Sequence, residues 1–128
     1  MYGIYFNCKH DPFIALILLR LKRDETRTRN TFRAIIGERV ALIESGKNGR
    51  PAIIRGYATI GTPRRVSYDN TRARKSARIL GTQYDIKPGS TKIFYPMINP
   101  RSCKPYVLTA DHTNHGRSYC EFSRPAGK

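Results

Sequence analysis

Apolar side chains at Phe13, Ile14, Ile17, Leu18 and Leu21 recur at helical spacing, and the face between them is also mostly apolar. The pattern predicts a buried helix that starts at Asp11-Pro12, with Asp as N-cap and Pro in the first helical position, and ends near Lys22. Ahead of it, Tyr2 to Phe6 alternates weakly and is rich in aromatic and β-branched residues, which predicts a strand. After it, Thr26, Thr28 and Thr31 favour extended structure. Behind Gly37, Val40, Leu42 and Ile43 mark a strand from Arg39 to Glu44. Ser45-Gly46-Lys47-Asn48-Gly49 is a turn whose Asn-Gly pair is the strongest hairpin signal in the chain, and Ala52 to Ile60 is its antiparallel return strand.

Beyond the hairpin the pattern turns polar. Ser67 or Asp69 can cap a second, basic helix reaching Leu80, with Ala73, Ala77 and Leu80 on one face, arginines on the others, and Gly81 closing it. Lys87-Pro88-Gly89-Ser90 is another turn, and Lys92 to Ile98, Tyr106 to Leu108 and Tyr119 to Phe122 are the remaining strands. There is no internal repeat. Residues 1–122 read as a single domain, followed by a tail of low order over 123–128. Short strands, one hairpin and two helices define an α+β domain built on a small, mostly antiparallel sheet or barrel.

Charge is where composition changes this picture. Lys and Arg number 24 against 9 Asp and Glu, a formal +15 over 128 residues. A surface this positive attracts polyanions, of which nucleic acid is the commonest. The 39% hydrophobic content still supports a folded core, unlike a disordered basic tail. Cys8, Cys103 and Cys120 are odd in number and scattered, which points to a reducing compartment and not to a disulfide framework. The longest apolar stretch, Ile14 to Leu19, is far short of the roughly 20 residues a membrane span needs. Asp11 and Pro12 before it and charges after it do not fit a secretory signal, so the expected location is cytoplasmic with no membrane partner.

Half of the 24 cations fall in two runs, one from Arg20 to Arg33 and one from Arg64 to Arg78. Within the first, Lys22-x-x-Glu25-x-Arg27 sets an ammonium beside a carboxylate. A carboxylate favours the charged amine and burial favours the neutral one, and that balance tunes a group for proton transfer. The same spacing also describes Glu25 merely pairing with Arg27 or Arg29 at a helix end, and both readings stand at this point.

The run Lys22-Arg23-Asp24-Glu25-Thr26-Arg27-Thr28-Arg29-Asn30-Thr31, followed by Ile36-Gly37-Glu38-Arg39-Val40-Ala41-Leu42-Ile43, resembles an ASCH domain of the PUA-like superfamily. That family has an N-terminal strand and helix, a G-x-K-x-x-E-x-R signature, and a Gly-x-Arg/Lys-hydrophobic strand. The resemblance continues through Gly56 to His115-Gly116-Arg117-Ser118-Tyr119-Cys120-Glu121-Phe122 and covers most of the chain. Arg20 stands where the signature has Gly, and Arg23 where Thr is frequent. The resemblance implies a PUA-like β-barrel with a cleft lined by Lys22, Glu25 and Arg27, and action on RNA or modified nucleosides. Some relatives hydrolyse acetylated cytidine with a Lys, a Thr three positions later and a Glu further along. Lys22 matches that Lys, Glu25 occupies the Thr position, and no later Glu stands in Arg72 to Leu80.

Candidate site residues follow. As an enzyme, the chain would use Lys22, Glu25 and Arg27 on an amide or phosphodiester in a nucleoside or RNA. As a binding module it would contact RNA, another nucleic acid or a nucleoside-like molecule through Arg20, Lys22, Arg23, Arg27, Arg29, Arg65, Arg72, Arg74, Lys75 and Arg78. Tyr57, Tyr68 and Tyr84 could stack unpaired bases. A third reading, an acidic protein partner, also accounts for the charge. Cys103, His112, His115 and Cys120 fit no zinc spacing and Cys8 with His10 fares no better, so no metal is expected. Neither a Gly-rich phosphate loop nor a nucleophile elbow is present, and no cofactor is expected.

Overall fold

The computed structural model describes residues 1–9, 12–47 and 49–124. The expected N-cap at Asp11, the candidate ligand His10, Asn48 of the hairpin turn and residues 125–128 of the tail lie outside the described residues. In chain order the elements are β1 (Tyr2–Phe6), α1 (Phe13–Leu18), β2 (Asp24–Arg27), a 3₁₀ turn (Arg33–Ile35), β3 (Arg39–Glu44), β4 (Ile53–Ile60), β5 (Arg64–Ser67), α2 (Thr71–Ser76), β6 (Thr91–Val107), β7 (His112–His115) and β8 (Tyr119–Phe122).

The strands form one mostly antiparallel sheet in the order β2-β6-β4-β3-β1-β8-β7, with β5 also on β6. Among the described residues only β1 and β3 pair in parallel, Tyr2 facing Val40 through Phe6 facing Glu44. Among the described residues no ladder joins β2 to β7, so the pairing leaves an open sheet where a closed barrel was expected. β6 unites two segments predicted as separate strands, Lys92 to Ile98 and Tyr106 to Leu108. It stays continuous because bulges opposite β4, between Ile54 and Gly56 and between Tyr57 and Thr59, together with left-handed Asn99, absorb the bend that Pro100 and Pro105 impose. At Gly56 an added Cβ would strike the Arg101 carbonyl and Leu18, so only Gly allows α1 to lie this close to the β4–β6 ladder.

Ile4, Phe6, Phe13, Ile14, Ile17, Phe32, Val40, Leu42 and Tyr95 make the main core between α1 and the sheet. A second cluster on the other face contains Ile43, Ile54, Tyr106 and Phe122. A third, smaller one seats α2 through Ala73, Ala77, Val66, Ile86 and Phe94. Ile79 is 1% exposed and fills the place predicted for Leu80, which is 41% exposed.

Both helices are shorter than their patterns predict, and for the same reason. In α1 the Arg20 N–H bonds back to the Ile17 carbonyl and the Leu21 N–H to the Leu16 carbonyl. In α2 the Arg78 N–H bonds to Lys75 and the Ile79 N–H to Arg74. These are paired Schellman closures, and each sets an arginine, Arg20 and Arg78, at φ 62° in the left-handed position usual for Gly. The cap of α2 is Asn70, whose side chain accepts the Ala73 N–H, in place of Ser67 or Asp69. Two residues of the expected tail are described, and Arg124 lies 4.8 Å over the Tyr57 ring.

Candidate functional site

The two helix ends grip one another. Arg78 Nε donates to the Leu21 carbonyl at 3.0 Å, and Lys22 Nζ donates to the Ala77 carbonyl at 2.6 Å. The turn after α1 thus aims the Lys22 side chain inward beneath α2, and the residue is 1% exposed. Its ammonium lies 5.2 Å over the Phe13 ring and 3.9 Å from Glu25 Oε1. Burial pushes the Lys22 pKa below that of an ordinary lysine, Glu25 and Asp24 oppose the shift, and Arg27 and Lys92 add to it.

Glu25 belongs to a strand and not to a helix end. Glu25 and Arg27 are two apart on β2 and so share one face. Arg27 Nη2 donates to Glu25 Oε2 at 2.9 Å and to the Tyr5 carbonyl at 3.1 Å, and its guanidinium stacks 4.9 Å over Phe32. The Thr26 N–H donates to Glu25 Oε1 at 3.0 Å. Glu25 therefore sits between two cations with lone pairs to spare, since a carboxylate has about four acceptor positions. On the opposite face of β2, buried Asp24 lies 3.7 Å from Arg64, and burial pushes its carboxyl up while Arg64, Lys22 and Arg23 oppose the shift.

Lys22, Glu25 and Arg27 line one cavity of about 300 Å³. Tyr5, Phe6, Phe13, Ile79 and Tyr84 give it apolar walls, and Asn7, Ser45 and Arg117 stand along it. Tyr84 meets Phe13 edge to face at 5.0 Å, and its carbonyl accepts a short hydrogen bond from Lys92. Lys22 also lines a second cavity of about 290 Å³ on its other side, with Arg20, Arg23, Pro96 and Asn99.

The remaining candidate cations are dispersed. Arg29 is exposed, and exposed Arg65 bonds to the Thr91 hydroxyl at 3.1 Å. Arg72 and Lys75 are exposed on α2. Arg74 is buried: it holds Asp85 by two hydrogen bonds of 2.7 Å, donates to the Tyr68 carbonyl at 2.9 Å and stacks 4.2 Å over the Tyr68 ring. Of the three tyrosines singled out for stacking, Tyr57 is buried with its hydroxyl on Tyr106, Tyr68 lies under Arg74, and Tyr84 is in the cavity. Among the described residues no group of three or more His, Cys, Asp or Glu is placed to hold a metal. Cys120 and Tyr119 on β8 face Asn114 and His115 on β7, and His115 stacks on Tyr119 at 5.0 Å. No described helix is long and apolar enough to cross a membrane.

Sequence reasoning did not assign Tyr5, Asn7, Ser45 and Arg117 to the site. Arg117 stands within the segment that carries the family resemblance. The other three come from the ends of β1 and β3, which only the parallel pairing brings together.

No protein-family model matches the chain, and no curated protein matches it. Solved structures do. An ASCH protein from Zymomonas mobilis superimposes with a TM-score of 0.58 at 12% identity, over 84% of this chain and 73% of its own. A Tyr-to-Phe mutant of that protein gives 0.57 at 12% identity, over 84% and 75%. A Ser-to-Ala mutant gives 0.61 at 14%, over 96% and 87%. The chain has the fold of an ASCH domain. Arg20, at the position that the resembled signature gives to Gly, is one of three described non-Gly residues with a left-handed backbone, the geometry that Gly adopts without strain.

Proposed function

We propose that this domain binds RNA or a nucleotide-like ligand, seating a base in the cavity around Lys22, Glu25 and Arg27. The observation that carries the reading is the convergence of these three side chains in a concave pocket with an aromatic wall, in place of a flat basic face. Small-ligand pockets are mostly apolar, with a few placed polar groups and volumes from about 300 Å³ upward. Glu25 would accept the exocyclic amine of a base, Tyr84 would pack on its face, and Arg117 at the mouth would meet phosphate. The ASCH fold and the charge of +15 support nucleic acid as the partner.

Hydrolysis of a modified nucleoside is the second reading, and the buried amine of Lys22 beside Glu25 favours it. Neutral Lys22 would take a proton from water, the hydroxide would add to the acyl carbon, and Arg27 would stabilise the oxyanion. Collapse would then return the proton from Lys22 to the leaving amine. The Thr that some ASCH hydrolases use is replaced by Glu25, so weak or absent turnover is expected.

Titration with cytidine, acetylated cytidine and a short single-stranded RNA tests both readings. The binding reading expects Glu25→Gln and Lys22→Met to lose affinity for all three. Robust turnover of acetylated cytidine by wild type, lost in both variants, would replace binding with catalysis.

A further inference from the structure

The base pocket is not closed at Tyr5. Asn7 and Ser45, which line it, also line a neighbouring cavity of about 360 Å³ just beyond the carboxyl ends of parallel strands β1 and β3. The two cavities meet across Asn7 and Ser45. The Ser45 N–H is held by the Phe6 carbonyl at 2.9 Å, and Gly46 is pressed against the backbone of Arg50 so closely that an added Cβ would overlap it. The side chains on the shared rim are Asn7, whose Oδ1 accepts the Lys9 N–H at 3.0 Å, and the small Ser45.

This second basin is strongly cationic. Lys9, Lys47, Arg50 and Arg55 surround it, and Glu44, its single carboxylate among the described residues, is already held by Arg55 at 3.0 Å. Among the described residues, Lys9, Lys47 and Arg50 make no ion pair. On the basic helix Arg74 is locked to Asp85 and Arg78 to the Leu21 carbonyl, which leaves Arg72 and Lys75, and neither of these lines the base pocket or the basin. A shallower depression from Ser45 toward Asn114 offers only Arg117.

Building on the base-pocket reading, we infer that the Lys9-Lys47-Arg50 basin receives the phosphates of the adjoining nucleotides, so that the ligand is single-stranded RNA of two or more nucleotides crossing the shared Asn7-Ser45 rim. Two adjoining concavities that share a rim suit a single strand, whose bases splay into pockets, better than a rigid duplex. Each phosphate neutralised releases counterions, which makes the path countable.

The experiment measures anisotropy of a labelled RNA tetranucleotide across a salt series, beside binding of cytidine monophosphate. The variants are Lys47→Gln with Arg50→Gln, and Arg72→Gln with Lys75→Gln as the comparison; all four side chains are exposed, so the fold should persist. The basin variant is expected to bind the tetranucleotide about tenfold or more weakly at low salt and to flatten the log–log salt slope by about 1.4, at roughly 0.7 per single-strand phosphate. Its mononucleotide affinity should be unchanged, and the α2 variant should change neither. An unaltered slope in the basin variant, an equal loss in the α2 variant, or preference for duplex RNA overturns the inference. A Glu25→Gln control separates the two claims. Loss of basin dependence with Glu25 dependence intact defeats only the phosphate path, whereas the reverse defeats only the base pocket.

Discussion

Replacing Lys22 by Met keeps the length and volume of the side chain while removing its charge. At 1% exposure the wild-type ammonium has one close acceptor, the Ala77 carbonyl at 2.6 Å, and Glu25 lies at 3.9 Å. Losing a hydrogen bond from a charged donor costs about 1.5–3 kcal/mol, and removing a buried charge returns a desolvation penalty of similar size. Lys22→Met should therefore lie within about 2 kcal/mol of wild type at pH 7. Lys22→Ala adds a cavity and should be the less stable by about 2 kcal/mol or more. The pH dependence is sharper. Because burial lowers the folded-state pKa of Lys22 below its unfolded value of 10.5, the unfolded chain binds more protons throughout that interval. Wild-type stability thus gains from Lys22 as pH rises through the depressed pKa toward 10.5, by at most about 1.4 kcal/mol per pH unit, and Lys22→Met lacks this gain. The chain has no Trp, so urea unfolding should be followed by circular dichroism, in half-unit steps from pH 6.5 to 10.5. Parallel stability curves for wild type and Lys22→Met would refute the claim that the buried amine is perturbed.

Arg20→Gly relieves a left-handed non-Gly residue and should stabilise the fold by about 1 kcal/mol, read as a rise of a few degrees in Tm. Asp85 is held well below the usual carboxylate range, first by hydrogen bonds from Arg74. The stability it contributes is present above pH 3.8 and is lost as pH falls through its lower folded pKa, so Asp85→Asn should flatten the acid limb of the stability profile below pH 4. Tyr95→Phe removes the hydroxyl that accepts the Phe32 N–H at 3.3 Å and donates to Asn30 at 2.7 Å. It should cost about 1–3 kcal/mol in urea unfolding.

Elements that alternate or repeat apolar residues were legible in the sequence: β1, β3, β4, β8 and the body of α1. The helix ends were not. Both patterns continue past the true end because the residue that breaks each helix is arginine, which gives no stop signal. β2 was legible only as extended structure around Thr26, without its bounds, and β5 and β7 escaped. Asp24-Glu25-Thr26-Arg27 has no apolar alternation, because Glu25 and Arg27 on one face line the cavity and Asp24 on the other pairs with Arg64, and Arg64-Arg65-Val66-Ser67 and His112-Thr113-Asn114-His115 lie at sheet edges with little to bury. Spacing put Lys22, Glu25 and Arg27 together because they are near in sequence. Tyr5, Ser45 and Arg117 join them only through β1 pairing with both β3 and β8, which no local pattern encodes.

The central claim, that a base enters the Lys22-Glu25-Arg27 cavity, is most directly tested by amide chemical-shift mapping during titration with a short single-stranded RNA. The Thr26 N–H donates to the Glu25 carboxylate and so reports on that group itself. The account predicts the largest shifts at Asn7, Thr26, Arg27, Ser45, Tyr84 and Arg117, all of them diminished in Glu25→Gln. Shifts confined to Arg72 and Lys75 on α2, with Thr26 and Tyr84 unmoved at saturation, would contradict it.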